Sequence, residues 1–171
     1  MIETLFETRW LGVYRDGHWD FVRRPNADAA VGILAVTPDD KLLLVEQFRI
    51  PMQKRVIEIP AGLVGDEEEF QGEDLAETAR RELLEETGYR AGSIELLLSS
   101  PTSAGMTSET THIYLARDLE KAGPGGGTGA EDILVHEVPL GEVRGFLREK
   151  EASGCLVDFK IQAALWQAGL A

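Results

Sequence analysis

Residues 81–88 read RELLEETG and set three glutamates on one face of a predicted helix. Side chains three and four positions apart are neighbours on a helix surface, so Glu82, Glu85 and Glu86 fall within one narrow arc. Because like charges at this spacing repel one another, the arc is favourable only where the glutamates share a cation. Mg²⁺ suits such a site, since it binds oxygen ligands and typically takes one or two carboxylates together with substrate phosphates. The alternative is a solvated acidic helix face, the usual explanation of an isolated run of charges.

The predicted helix runs from about residue 73 to residue 87, and Gly88 follows as a C-terminal capping residue. Four apolar residues form the stripe that should face the core, namely Leu75, Ala76, Ala79 and Leu83. The acidic arc lies beside this stripe, so the helix should present its carboxylates at the edge of its buried face.

Glu73, Arg81 and the acidic arc together resemble the Nudix box, the signature of hydrolases acting on nucleoside diphosphates linked to another group. The family pattern is a glycine, five residues, a glutamate, seven residues and then Arg-Glu-apolar-x-Glu-Glu-x-Gly-apolar. Here Gly62 stands for the first glycine, and ten residues, 63–72, separate it from Glu73. We therefore interpret residues 66–70 as a loop insertion. The family pairs this glutamate with the arginine to orient the site, which makes both candidate catalytic residues with a structural role.

Resemblance to this family implies an α/β fold, the Nudix-type α/β/α sandwich with a mixed central sheet. It also implies a Mg²⁺ cofactor, for which Mn²⁺ can substitute. Glu82 and Glu86 would be the principal metal ligands, and the main-chain carbonyl of Ala61 another. Glu85 would be a further ligand and a candidate catalytic residue.

The composition is that of one globular domain. A chain of 171 residues can bury a substantial core, and we expect a single domain over residues 1–171. The net charge of −13 argues against passive binding to nucleic acid or to an anionic membrane surface. Cys155 is the only cysteine, which excludes an internal disulfide. With no long apolar run and no basic-then-apolar leader, we expect a soluble cytoplasmic protein.

Apolar segments along the chain predict a mixed sheet. Two N-terminal strands, about residues 4–14 and 18–24, should form an antiparallel β-hairpin around the turn at Asp16-Gly17. Further strands are predicted at residues 29–37, 41–48, 56–59, 93–99, 111–116 and 133–138. Two helices, at about residues 140–150 and 158–168, complete the chain. The lack of regular βαβ alternation indicates a mixed sheet between helices.

Motifs outside the box resemble the ADP-ribose pyrophosphatase branch, whose members split a nucleoside diphosphate sugar into a nucleoside monophosphate and a sugar phosphate. They are EQFR at 46–49, EIPAG at 58–62, and Ser-Pro at 100–101 with GMTSE at 105–109. The resemblance implies five substrate-binding residues: Arg49, Glu58, Gly105, Met106 and Glu109. A guanidinium suits this task because it donates paired hydrogen bonds to phosphate oxygens. For Arg49 the alternative is a surface arginine at a strand end, and for Glu109 it is an ordinary loop carboxylate.

A glycine-rich stretch at residues 122–130 precedes Glu131-Asp132 and is predicted to be a flexible loop. This acidic pair resembles the loop that the branch closes over its metals. Glu131 is accordingly a metal ligand, the general base, or both in turn. For Asp132 an exposed turn acid is an equally good explanation.

These patterns predict Mg²⁺-dependent hydrolysis of the pyrophosphate bond of a nucleoside diphosphate sugar, with ADP-ribose, split into AMP and ribose 5-phosphate, as the favoured substrate. The alternatives are another nucleotide sugar such as GDP-mannose, a dinucleotide, or a non-catalytic Nudix-like ligand-binding module. The complete box favours an enzyme. Because N-terminal strands of this branch commonly join a dimer interface, we expect residues 1–25 to mediate a homodimer.

Overall fold

The computed structural model describes residues 1–27, 29–66, 68–128 and 132–170. Its strands are β1 (Glu3–Glu7), β2 (Gly12–Asp16), β3 (Trp19–Arg23), β4 (Ala29–Val36), β5 (Lys41–Arg49), β6 (Lys54–Glu58), β7 (Ala61–Val64), β8 (Tyr89–Pro101), β9 (Thr110–Lys121), β10 (Leu134–Pro139) and β11 (Leu156–Val157). Its α-helices are α1 (Leu75–Thr87), α2 (Val143–Ala152) and α3 (Phe159–Gln167). Short 3₁₀ turns lie at Ile50–Met52, Glu68–Phe70 and Leu140–Glu142.

The N-terminal segment forms a three-stranded antiparallel sheet in the order β1-β2-β3, not a two-stranded hairpin. The predicted first strand is divided because Thr8 makes a turn, in which its side-chain oxygen accepts hydrogen bonds from the amides of Trp10 and Leu11. The turn at Asp16-Gly17 joins β2 to β3 as predicted, and Gly17 supplies the positive φ of 61°.

A mixed sheet forms the centre of the molecule, with strand order β11-β6-β5-β4-β9-β8 and with β10 and β7 paired to β5 and β4. The β4–β9 and β6–β11 pairs are parallel and the other pairs antiparallel. Side chains alternate between the two faces of a strand. In β4, Val31 and Ile33 therefore pack with α1, whereas Leu34 and Val36 pack with α2 and α3. The predicted α/β/α sandwich is confirmed.

Two strands, β7 and β11, were not predicted, because four and two residues carry too little pattern to be recognised. Strands β8 and β9 extend well beyond their predicted ends, since each pairs with the other along almost its whole length. Within the described residues, no helix is both long enough and apolar enough to cross a membrane.

Candidate active site

Helix α1 begins one residue after Asp74, whose side chain accepts a hydrogen bond from the amide of Ala76 at 2.9 Å. An aspartate in this position satisfies an amide that the first helical turn leaves free. The helix therefore starts after Glu73, which the sequence prediction had placed within it. It ends at Gly88, which has a φ of 77° and donates its amide to the carbonyl of Leu84 at 2.8 Å.

The apolar stripe of α1 packs against the sheet as predicted. Ala79 and Leu83 are fully buried, and Leu75 and Ala76 lie at the edge of the same cluster. Burial of this stripe fixes the rotation of the helix about its axis. The acidic arc consequently turns toward β7, and the Glu86 residue is only 5% exposed.

Strand β7 contacts both principal carboxylates of the arc. A Cβ atom on Gly62 would lie 2.0 Å from the carboxyl carbon of Glu82, so a larger residue here would displace the Glu82 carboxyl group from its position. The preceding amide, that of Ala61, donates a hydrogen bond to Glu86 Oε2 at 3.0 Å. The EIPAG motif therefore forms a main-chain cradle for two acidic side chains that lie about one helical turn apart.

Arg81 lies among three glutamates. Its Nη1 donates to Glu82 Oε1 at 2.9 Å and to Glu85 Oε2 at 3.1 Å. Its Nε lies 3.4 Å from Glu73 Oε2. The guanidinium also lies over the ring of Phe70, 4.2 Å from the ring centroid, so the inserted loop helps to hold this arginine.

Burial raises the pKa of the Glu82 carboxyl to about 7. The Arg81 guanidinium acts in the opposite direction, and the neighbouring Glu85 carboxylate adds to the increase. A buried carboxylate that is easily protonated is one whose negative charge lacks sufficient counter-charge. An added cation would provide it.

The carboxylates of the arc suit a hard divalent cation, which takes oxygen ligands, and the Ala61 carbonyl stays a predicted further ligand. The Gly62 cradle shows the same fit, since it brings main chain directly against Glu82. Within the described residues, no three Asp, Glu, His or Cys side chains are already grouped closely enough to hold one ion. The Arg81 guanidinium lies between Glu82 and Glu85 and forms an ion pair with each of them.

Two predicted substrate-binding residues form a pair with each other. Arg49 Nε donates to Glu58 Oε2 at 2.6 Å, and Glu58 is buried whereas Arg49 is partly exposed. Glu58 thus fixes one edge of the guanidinium at the end of β5. The predicted contact between Arg49 and phosphate remains a prediction.

The loop containing Gly105, Met106 and Glu109 is joined to the N-terminal sheet. The Val22 amide donates to the Met106 carbonyl at 2.9 Å, and Trp19 Nε1 donates to the Gly105 carbonyl at 3.2 Å. These bonds fix the position of the predicted substrate loop relative to β3.

Glu109 lies at one wall of a cavity of about 520 Å³ between the N-terminal and central sheets. Its Oε2 accepts a hydrogen bond from Arg24 Nε at 2.8 Å. The cavity is also lined by Tyr14 and Arg23, and the α1 carboxylates are not part of its lining. Glu109 therefore lines this cavity, whereas the acidic arc lies beside β7.

Glu131 lies outside the described residues, so its predicted role stays a prediction. Residues 122–128 form a loop, as predicted, and hydrogen bonds attach this loop to the end of α1. The amides of Gly126 and Gly127 donate to the carbonyls of Glu86 and Glu85 at 2.8 and 3.0 Å. Glycines allow this segment to approach the helix end closely, and we call residues 122–127 the glycine run.

Sequence reasoning missed two arginines that neighbour predicted residues. Arg24 pairs with Glu109, and Arg55 pairs with Glu46 and Asp132 at 2.8 Å each. The signal for Arg55 was its place beside Glu46 across the β5–β6 turn, which becomes visible only once the strand register is known. Arg24 gave no comparable signal beyond being basic in an acidic chain.

Comparison with known proteins identifies the class. The NUDIX domain model matches residues 27–154, and the chain therefore belongs to the Nudix family. The predicted resemblance is confirmed.

Individual relatives carry several names. A methanol dehydrogenase activator of Bacillus methanolicus is 38% identical over 132 residues, which cover 77% of this chain and 67% of the relative. An ADP-ribose pyrophosphatase of Bacillus subtilis is 40% identical over 100 residues, covering 58% and 50%. A GDP-mannose pyrophosphatase of Cronobacter sakazakii is 33% identical over 127 residues, covering 70% and 61%. The chain thus spans about half to two thirds of the length of these relatives.

The fold has a counterpart among solved structures. The crystal structure of an ADP compounds hydrolase superposes with a TM-score of 0.75 over 98% of this chain and 89% of that one, at 22% identity. At this level of identity the likeness establishes the shared fold.

Proposed function

We propose that this chain hydrolyses the pyrophosphate bond of nucleoside diphosphate sugars in a Mg²⁺-dependent reaction, with ADP-ribose, split into AMP and ribose 5-phosphate, as its preferred substrate. The observation that carries the proposal is the seating of Glu82 and Glu86 against the main chain of Ala61 and Gly62. Two of the relatives are named as pyrophosphatases of nucleotide sugars, which supports this substrate class.

In such a hydrolysis, water adds to one phosphorus while the bond from that phosphorus to the bridging oxygen breaks. The bridging oxygen leaves with the other phosphate, and a proton from the water passes to a carboxylate. A bound Mg²⁺ supplies neutralisation of charge on the phosphate oxygens. Glu82, Glu86 and the main chain at Ala61 would hold it, with Glu85 as a further ligand. We assign the proton to Glu131 by resemblance.

The residues around the acidic arc have supporting tasks. Arg81 holds Glu82 and Glu85 in fixed orientations, and Glu73 and Phe70 hold Arg81. Arg49, oriented by Glu58, would donate to a phosphate oxygen. The loop at residues 105–109, fixed to β3, would contact the remainder of the substrate.

The test is turnover by the purified chain of a panel of nucleotide sugars and dinucleotides, with Mg²⁺ or with EDTA, and with products identified by chromatography and mass spectrometry. ADP-ribose should give AMP and ribose 5-phosphate only when Mg²⁺ is present. The absence of turnover on every compound would overturn the proposal. Preferred turnover of GDP-mannose would retain the enzyme class and replace the substrate.

A second candidate is a module that acts on another protein. The relative named a methanol dehydrogenase activator favours it, because its similarity extends over 77% of this chain. The two candidates are distinguished by the metal site: a catalytic site should lose turnover in the Glu86→Gln variant. A binding module would show no turnover in the parent protein.

We further propose that the N-terminal sheet mediates a homodimer. All five residues of β1 are exposed, and the exposed apolar side chains of this sheet and its turns include Leu5, Phe6, Trp10 and Trp19. Apolar surface of this kind marks interaction sites. Sedimentation analysis should give a dimer for the parent and a monomer for a Phe6→Ser/Trp10→Ser variant. A monomeric parent would overturn the assignment.

A further inference from the structure

The glycine run lies across the C-terminal end of α1 and caps it. The last carbonyls of a helix have no partner within the helix and must be satisfied from outside. Here the Gly126 amide donates to the Glu86 carbonyl at 2.8 Å, and the Gly127 amide donates to the Glu85 carbonyl at 3.0 Å. The Gly88 carbonyl in turn accepts from the amides of Ala122 and Gly123 at 2.8 and 3.0 Å. A segment distant in the sequence therefore terminates this helix.

The approach of the two segments is so close that glycine is required on both sides. A Cβ atom on Gly125 would lie 2.3 Å from the carbonyl carbon of Thr87. A Cβ atom on Gly88 would lie 2.2 Å from the carbonyl oxygen of Gly123. Both obstacles are main-chain atoms, which cannot turn aside as a flexible side chain can. Both glycines also have left-handed φ values, +69° and +77°.

The capped carbonyls belong to the residues whose side chains form the acidic arc. Glu85 and Glu86 lie in the last turn of α1, which is the part of a helix that frays first. Fraying would separate them from Glu82, which is one turn further into the helix. The arc would then lose the spacing on which shared ligation of a cation depends.

We propose that the glycine run is a positioning element for the metal site, and that Gly125 is its positioning residue. By binding the carbonyls of Glu85 and Glu86, the run keeps their side chains on the same face as Glu82. The inference rests on the metal site of the proposed function. Because coupling between two binding events is reciprocal, a metal ion bound at the arc must also strengthen the docking of the run.

The first test compares Gly125→Ala with Gly123→Ala. Gly123 is in the same run, has no left-handed φ, and has open space where its Cβ would lie. Binding of Mn²⁺ alone is measured by the loss of the free-ion electron paramagnetic resonance signal. Gly125→Ala should weaken binding by about tenfold or more, equivalent to about 1.4 kcal/mol. Gly123→Ala should bind as the parent does, to within about twofold.

Equal Mn²⁺ affinity of the parent and a folded Gly125→Ala would overturn the positioning role and leave the proposed function intact. Equal weakening by the two variants would also overturn it. A parent that does not bind Mn²⁺ would instead overturn the metal site itself, and this inference with it.

The second test needs no variant and therefore does not depend on the folding of one. Hydrogen exchange of the Gly126 and Gly127 amides is followed by NMR in the parent, with and without saturating Mg²⁺. Both amides should be protected, and Mg²⁺ should slow their exchange by about tenfold, the same factor by which docking strengthens metal binding. Unprotected amides, or protection that Mg²⁺ leaves unchanged, would overturn the inference.

Discussion

A carboxylate with little exposure lies on each side of the central sheet, and the charges that surround the two differ. On the α2 side, the Glu46 side chain is 6% exposed and lies among three basic side chains. Its oxygens accept from Arg55 Nε at 2.8 Å and from Lys150 Nζ at 2.7 Å, and His136 Nε2 lies 2.9 Å away. Burial alone would raise its pKa, but hydrogen bonds from Lys150, His136 and Arg55 outweigh burial and lower the pKa below its usual value.

On the α1 side, the Glu82 side chain is 15% exposed and shares the Arg81 guanidinium with Glu85. Burial raises its pKa to about 7, and this single arginine does not reverse the effect. Glu82 is the more deeply embedded of the two, and its single guanidinium offsets less of the cost of burial than the three basic side chains around Glu46 do. Glu46 has the environment of a structural carboxylate. Glu82 has that of a carboxylate prepared for a further cation.

The largest expected effect is on catalysis in the Glu82→Gln variant. Glutamine has nearly the same shape but cannot act as an anionic ligand, so kcat should fall by about 10³-fold or more, because a bound metal contributes several kcal/mol to transition-state stabilisation. Steady-state turnover with Mg²⁺ measures this. Glu77→Gln, at an exposed position on the same helix, is the control and should retain activity. A Glu82→Gln enzyme within a few-fold of the parent would remove Glu82 from the metal site.

The next largest effect is on stability in the Glu46→Gln variant. Its three basic partners would lose their common anion, and breaking a buried ion pair from one side typically costs about 3 kcal/mol. We expect a loss in the free energy of unfolding of that order in urea titrations, because the Glu46 side chain at the centre of the cluster is only 6% exposed. Folded Glu46→Gln should keep its turnover. A Glu46→Gln variant that was stable but inactive would contradict the structural role of Glu46 and assign this residue to the active site instead.

Opposite pH dependences should separate the two carboxylates in metal-free protein. The folded-state pKa of Glu82, about 7, exceeds the usual value of 4.5 for a glutamate, so between these values the folded state binds the extra proton. Its contribution to stability therefore falls as pH rises from about 4.5 to about 7, by an amount on the order of 3 kcal/mol. Glu46, with a lowered pKa, contributes fully above 4.5 and loses its contribution as pH falls below that value.

The measurement is urea unfolding across pH in EDTA, for the parent and for each glutamine variant. The difference between the parent and Glu82→Gln should change between pH 4.5 and 7, whereas the difference between the parent and Glu46→Gln should stay level there. Saturating Mg²⁺ should flatten the first curve. If the two stability differences changed with pH in the same way, the environments of Glu82 and Glu46 would not be distinct.

Much of the α1 side could be predicted from the sequence, because its acidic residues lie on a single helix. The spacing of Glu82, Glu85 and Glu86 is a property of helical geometry, and the apolar stripe fixes which way they face. The family resemblance then supplied the fold. Even so, the helix start was misplaced by two residues, because the capping side chain of Asp74 determines it.

The α2 side was not predictable, because its carboxylate is satisfied by residues that are far apart in the sequence. Glu46 meets Lys150 and His136, 104 and 90 positions away. No local pattern encodes such a meeting, which depends on strand register and helix packing. The glycine run was correctly predicted as a loop, but its docking on α1 was not predicted, for a related reason. The absence of side chains allows close packing against a helix that lies far away in the sequence, and composition alone does not show that packing.

The smallest expected effect is that of Asp132→Asn, at the outer end of the Glu46 cluster. Arg55 makes two ion pairs of equal length, 2.8 Å, one to Glu46 and one to Asp132, but the Asp132 side chain is 73% exposed. The hydrogen bond that Arg55 donates to Asp132 contributes most to raising the pKa of Arg55, yet solvent and salt screen an exposed pair. We therefore expect urea unfolding to show a loss of about 0.5 kcal/mol or less. A loss as large as that of Glu46→Gln would mean that partner number and distance, not burial, determine what a carboxylate contributes here.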